Sequence, residues 1–512
     1  MRLRHRPILD ICALGLFCGL FRFSTVEAQS ASSTKSSHVL RGQQLELDKN
    51  WVEAEREFRL ALQQNPNSAQ AAVGHAEALV QIGQPFDAEL ELKSFLEKHP
   101  SAERAHEFYA VVALSASDDF VAAQTELETC VKLKPDDGMA WKSLGDVYLG
   151  RVNVAEAIKA YKKASRLLPN NAMIVASLAD AYSEDGEQQK AEESFSRAIK
   201  MTSGASHSRH VLEDRAIVQY LYGRYLLNQN RARQSIDATT MALNYNPRSA
   251  AAFYNRARAY EAIKDYKHAE DDALEAFRLD PHDKQGPLLL TDIYRKEHDQ
   301  AKAERYAEIT QKMVDEEQQR SIFRRELFTL LGNAERALKQ AQFQEAIPSY
   351  EELLRKLPTF YEGYFGLGMS YSQTGRLADA EAAFRKYLSF ENISADGHSA
   401  LGIVLLEQGR GLEGVPELEE ALQIDPSLDE GRKALASEYM NESKLDEALR
   451  TLRGARDSTD PQLVVMLGSV LLQKGDVIGA KRELDKALAL HPDDPDAIKL
   501  KQQIAGRTSS PN

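Results

Sequence analysis

Small side chains recur along this chain at a fixed step of 34 residues, with larger apolar ones set between them. With a recurring proline taken as position 32 of the period, position 20 reads Ala54, Ala88, Ala123, Ala157, Ala191, Ser235, Ala269, Ala303, Ala346, Ala380, Gly414, Ala448 and Ala480. Position 8 is nearly as restricted, from Gly42, Ala76, Gly145 and Ala179 to Gly468, with Val111 and Thr291 as the exceptions. Positions 11 and 24 are bulky, as in Tyr148 with Tyr161 and Tyr182 with Phe195. This pattern predicts two antiparallel helices per period, A and B. Small residues at the facing positions let their axes approach to the low end of the roughly 8–10 Å packing range.

The breakers fall at the ends of these elements. Pro66, Pro100, Pro135, Pro169, Pro247, Pro281, Pro358, Pro426 and Pro492 share position 32, where a proline cannot continue helix B. Gly83, Gly186, Gly375, Gly409 and Gly475 share position 15, the turn from A to B, where a helix C-cap needs a left-handed backbone. Two insertions break the step: residues 205–215 and 318–326. Neither is rich in Gly or Pro, so lengthened helices are expected there rather than flexible linkers.

The period is clearest at Trp141, Leu144, Gly145, Tyr148, Ala157, Tyr161, Ala164 and Pro169. These residues reproduce W-x2-L-G-x2-Y, then A-x3-F/Y-x2-A and a closing Pro, so the chain resembles the tetratricopeptide repeat family over nearly everything after its first thirty-odd residues. The resemblance implies an all-α, right-handed α-solenoid of about thirteen helix-turn-helix repeats. They divide into 35–205 (repeats 1–5), 216–317 (repeats 6–8) and 327–494 (repeats 9–13). A capping helix follows at 495–506, then a tail at 507–512. In the cap, Ala497, Ile498 and Ile504 are expected to cover the end of the core, with Lys499, Lys501, Gln502 and Gln503 in water.

The N-terminus reads differently. Arg2, Arg4 and Arg6 precede an apolar stretch from Ile11 to Phe21, and Val26-Glu27-Ala28 offers a small-x-small cleavage site. An export signal over 1–28, cleaved after Ala28, is therefore expected, with a short linker at 29–34; an uncleaved N-terminal membrane anchor is the alternative. The apolar stretch is shorter than the roughly 20 residues that span a bilayer, so no integral span is expected in the mature chain.

Composition and charge narrow the partners. The whole chain has a formal net charge of −13, and residues 1–28 carry four Arg against one Asp and one Glu, so the remainder stands at −13 − 2 = −15. A balance this acidic argues against binding to nucleic-acid backbones. Of three cysteines, Cys12 and Cys18 lie in the signal, which leaves Cys130 as a buried, inert thiol without an intramolecular disulfide partner.

No catalytic spacing is found. Phosphate-cradling glycine loops, H-E-x-x-H, C-x-x-C and G-x-S-x-G are all absent, and the repeats leave no stretch for a separate catalytic domain. No enzyme activity, metal or cofactor is expected.

In the family, positions 2, 5, 6, 9, 12 and 13 of helix A line the concave surface. Carried onto this sequence, Tyr220 and Tyr254 share position 5 and Arg224 and Arg258 share position 9. Asn255 adds position 6 and Arg295 position 12. They form a candidate cationic, aromatic patch for a protein or peptide partner, since Tyr and Arg are enriched at binding hot spots and an Arg fork suits a carboxylate. Packing against neighbouring helices, and pairing with Glu261 and Asp292, is the competing reading of the same residues. Phe108 and Tyr109 are a second, apolar candidate, as groove lining or core. The family's carboxylate clamp is not matched: Lys142 holds its position 5, but Asp146 and Ser177 stand where Asn is required. The expected function is an exported, non-catalytic interaction scaffold, placed in a bacterial periplasm by likeness to long exported arrays. The alternative is an accessory subunit of an envelope export or polysaccharide secretion assembly.

Overall fold

The computed structural model of the chain describes residues 37–117, 119–204, 208–454 and 460–508. The expected export signal, its cleavage position and the 29–34 linker lie outside the described residues. The chain divides into two compact units, one up to Arg325 and one from Glu326. All regular structure among the described residues is α-helical.

In the first unit, paired helices follow one another: Ser37–Leu47 with Trp51–Gln64, Ala69–Gln81 with Pro85–Lys98, Glu103–Ser117 with Phe120–Leu133, Gly138–Gly150 with Val154–Leu167, and Ala172–Glu184 with Gln188–Thr202. Arg209–Asn228 with Ala232–Tyr245 and Ala250–Ala262 with Tyr266–Leu279 continue the series, and Gln285–Lys296 packs on the start of Gln300–Lys339. The second unit takes the end of that helix with Phe343–Lys356. Tyr361–Gln373 with Leu377–Phe390, Ala395–Glu407 with Gly411–Ile424, Asp429–Asn441 with Leu445–Arg453, and Pro461–Gln473 with Val477–Leu490 follow, and Pro495–Thr508 ends it. Both insertions are helical where described. The first extends helix A of the sixth repeat to 20 residues, and the second fuses helix B of the eighth repeat to helix A of the ninth in one helix of 40 residues.

The two periodic small positions have different physical roles. Position 20 is buried in every repeat, as the facing-helix argument requires. Position 8 makes room for the bulky residue at position 24. A Cβ added at Gly145 would sit 2.6 Å from the Tyr161 ring, at Gly42 2.7 Å from Phe58, and at Gly368 2.7 Å from Phe384. The A–B turn is left-handed at position 15 in every described repeat. The five glycines have φ between +76° and +87°, but Lys49, Val152, Asn230, Lys264, His298, Ala341 and Ser443 take the same conformation with side chains in place.

Two hydrogen bonds tie successive repeats together. The side chain at position 4 reaches back to the carbonyl at position 32 of the preceding repeat: Trp141 Nε1 donates to Pro135 O at 3.0 Å and Tyr364 Oη to Pro358 O at 3.2 Å, while Arg432 donates to Pro426 O. The tyrosine at position 11 donates to a carboxylate at position 25 of the preceding repeat: Tyr148 to Glu128 at 2.9 Å, Tyr371 to Glu351 at 2.5 Å and Tyr439 to Glu419 at 2.5 Å. The signature residues therefore act between repeats as well as within one.

The cap differs in one residue from the sequence expectation. Ala497, Leu500 and Ile504 are buried against Leu484 and Leu471, whereas Ile498 is 41% exposed. Helical phase puts 497, 500 and 504 on one face, so Leu500 takes the place expected of Ile498. Lys499, Lys501, Gln502 and Gln503 are exposed. Cys130 is fully buried with its Sγ on the Glu103 carbonyl at 3.4 Å, and burial pushes its thiol pKa upward, consistent with an inert group.

Candidate partner-binding site

Helix A of repeats 4 to 7 carries position 9 as Asp146, Asp180, Arg224 and Arg258, one residue per repeat at the same place on successive helices. Stacking makes these side chains neighbours, so their charges are read against each other. Lys142 meets Asp146 at 2.6 Å, with both side chains almost fully buried. Tyr161 Oη donates to the same carboxylate at 2.7 Å. Burial raises the Asp146 pKa, against the opposing effects of Lys142 and Tyr161, and the nearby Asp180 charge raises it further. Asp180 in turn accepts from Arg224, whose side chain also lies against the Tyr220 ring at 5.8 Å.

Tyr220 and Arg224, expected at the groove surface, are therefore enclosed: each is 3% exposed, and Tyr220 belongs to the core around Phe195 and Leu243. The reason is Asp180 one repeat back, which supplies the countercharge inside the stack. Two Asp followed by two Arg at position 9 are visible in the sequence, but the pairing needs the repeat-to-repeat distance that only the fold provides.

The equivalent pair one repeat later is arranged differently. Arg258 lies over the Tyr254 ring at 5.9 Å, both half-buried, and among the described residues no carboxylate pairs with Arg258. Asn255 is buried beside Gly223 of the preceding repeat, with its side-chain Nδ2 lacking a hydrogen-bond partner among the described residues. Arg295 is 61% exposed in its side chain and approaches Asp292 at 3.6 Å, while Glu261 pairs instead with Lys296 at 2.5 Å. Phe108 and Tyr109 are buried, and Tyr109 lies in the field of Glu89 and Arg324.

The first three repeats hold a set of titratable groups that the sequence did not single out. His75 is almost fully buried between Glu91, 2.8 Å from Nδ1, and Glu55, 3.1 Å from Nε2. Burial pulls its pKa down, but the two carboxylates outweigh that and bring it to about 10. His38 and His106 make similar contacts to Glu57 and Glu126, at 2.7 Å and 2.5 Å. Glu46 is pushed up to about 8 by burial and then by the charge of Glu77, with Arg104 opposing. Burial, then Asp137 and Glu103, push Glu107 up to about 7. For His38 and His106 a step of 19 or 20 residues to the following Glu was the available signal, whereas His75 meets Glu91 16 residues on and Glu55 20 residues back.

Comparison with known proteins agrees with this architecture. The tetratricopeptide repeat model matches residues 114–172, 144–206, 220–284, 331–396 and 433–497, more than half of the chain. Superkiller protein 3 of Schizosaccharomyces pombe is 26% identical over 255 residues, covering 48% of this chain and 18% of that protein. The type IV pilus assembly protein PilF of Pseudomonas aeruginosa is 30% identical over 153 residues, covering 26% of this chain and 55% of that protein. The chain thus spans a fifth to about half of the length of these relatives. Among solved structures, a human IFIT1 dimer with m7Gppp-AAAA is similar at 16% identity, covering 94% of this chain and 95% of that one, with a TM-score of 0.32. With the repeat model matched along both units, and the signature residues packed as the motif requires, the chain belongs to the tetratricopeptide repeat family.

Proposed function

We propose that this chain is an exported, non-catalytic scaffold that binds a protein or peptide partner on the helix A face of its seventh and eighth repeats. One observation carries the reading: Arg258 keeps a guanidinium unpaired by any described carboxylate, set on the Tyr254 ring, while the equivalent Arg224 is neutralised within the stack. A guanidinium held in place on an aromatic ring is suited to a carboxylate, and Arg295, exposed on helix A of the next repeat beside Asp292, is a second candidate cation. An acidic segment of a partner fits this patch. The net negative charge of the chain favours such a local contact over binding of a nucleic-acid backbone. Arg258→Glu with Arg295→Glu is expected to weaken a photocrosslinked partner's affinity at least tenfold, about 1.4 kcal/mol, with helicity unchanged. A change within twofold would remove the assignment.

Export rests on the basic and apolar N-terminal pattern, and is tested by sequencing the mature N-terminus, expected at Gln29. A role in an envelope assembly is the second reading, favoured by the 30% identity to a pilus assembly protein. Co-purification with envelope secretion components, absent from a strain lacking those components, separates it from a general scaffold.

A further inference from the structure

The 318–326 insertion fits no repeat, yet one of its residues makes a highly enclosed polar contact within the first unit. Arg324 places Nε 2.9 Å and 2.8 Å from the two carboxylate oxygens of Glu89, and its Nη2 also donates to Glu89. Its Nη1 donates to Asp119 at 2.6 Å. These partners are 235 and 205 residues away in sequence and belong to the second and third repeats. Phe323, next to it, meets Phe86 edge-on with ring centroids 5.5 Å apart.

The receiving side is built for this. Phe86 and Glu89 are three residues apart on helix Pro85–Lys98, so they share one face. The Glu89 side chain is 0% exposed; burial pushes its pKa up, and the Arg324 guanidinium opposes this by stabilising the charged form. Asp119 uses one oxygen to cap helix Phe120–Leu133, through Val121 N at 3.0 Å and Ala122 N at 2.9 Å, which fixes the other toward the guanidinium. In a stack whose repeats need only their neighbours, none of this is required for the hairpins to form. Two carboxylates against one guanidinium and a pair of aromatic rings is instead the arrangement of a recognition site with its occupant seated.

We propose that Phe86, Glu89 and Asp119 form a binding niche for an arginine next to an aromatic residue, occupied by the chain's own Phe323 and Arg324, and available to an arginine-bearing peptide of a partner that displaces those two side chains. This niche is separate from the Tyr254–Arg258 patch and takes the opposite charge. Its partner segment is basic where that of the patch is acidic.

The test uses the full chain and a fluorescein-labelled Gly-Phe-Arg-Gly amide. Phe323→Ala with Arg324→Ala empties the niche and leaves both acids in place. This variant is expected to bind the peptide at least tenfold more tightly than the wild type, and adding Glu89→Gln is expected to abolish the gain. Amide exchange across 85–98 and 119–123 should speed up in the double variant and slow again with peptide. Equal affinity of wild type and double variant, or a gain that survives Glu89→Gln, overturns the proposal. If the double variant loses helicity, Arg324→Lys keeps a cation on Glu89 without the fork. It must then bind the peptide at least threefold more tightly than the wild type, and the absence of that gain overturns the proposal equally.

Discussion

Replacing Val152 by glycine is expected to stabilise this protein. Val152 occupies position 15 of the fourth repeat with φ at 63°, the conformation that glycine takes in five other repeats. For an L residue the left-handed region costs roughly 1–2 kcal/mol, from the clash of Cβ with the following carbonyl oxygen, and a β-branched side chain is the least tolerant. The valine recovers little by burial, being 60% exposed. Glycine brings its own entropic cost of about 0.5–1 kcal/mol, so the net gain is about 0.5–1 kcal/mol. Because repeats couple mainly to their neighbours, a single global melting curve blurs a local change. Native-state hydrogen exchange of helices Gly138–Gly150 and Val154–Leu167 reads it directly, and the gain corresponds to about two- to fivefold slower exchange. The reverse substitution, Gly186→Val, is the control. An added Cβ there meets no atom within 4 Å, so backbone strain is the expected source of a loss of similar size and opposite sign. If Val152→Gly speeds exchange, or Gly186→Val leaves it unchanged, the strain argument is wrong.

Gly145→Ala brings a methyl 2.6 Å from the Tyr161 ring and disturbs its hydrogen bond to Asp146; a loss of about 1–3 kcal/mol is expected in urea titration, concentrated in the fourth repeat by hydrogen exchange. Asp180→Leu leaves the buried Arg224 without its carboxylate and should cost about 3–5 kcal/mol in the fifth and sixth repeats, again by urea titration; a loss under 1 kcal/mol would show the pair to be dispensable. Repeats 1–3 should lose stability steadily as pH rises from about 5 to 10, measured by exchange-corrected protection or by denaturation at fixed salt. The sign follows from the protons held: Glu46 at about 8, Glu107 at about 7 and His75 at about 10 all keep their protons longer folded than unfolded, so each contributes stability at low pH that fades as pH passes through its folded value. Greater stability of these repeats at pH 9 than at pH 6 would contradict it.

Most of the architecture was legible in the sequence because its causes are local and periodic. Position 20 must be small in every hairpin, position 15 must turn left-handed, and position 32 must stop a helix, so each repeat states the same requirement again. The seven side-chain-bearing residues at position 15 show the limit of composition: the turn is set by hairpin geometry, and Val152 adopts it despite its own preference. Leu500, rather than the expected Ile498, covers the end of the core for a similar reason, since the exact phase of a terminal helix depends on what it packs against.

The candidate binding surface was less legible. Position 5 and position 9 residues were assigned to a groove from their place in one repeat, but exposure depends on the residue one repeat away. Asp180 encloses Arg224, while no described carboxylate does the same to Arg258.

The sequence by itself determined the repeat, its register, its turns and its small-residue contacts, because these depend on residues within one helical hairpin. Only the tertiary structure decided which charges meet across repeats, and that Arg324 lies against Glu89 and Asp119 at separations of 235 and 205 residues. Coulomb and hydrogen-bond interactions act over a few ångströms of space, and no periodic pattern along a chain fixes which distant residues come within that reach.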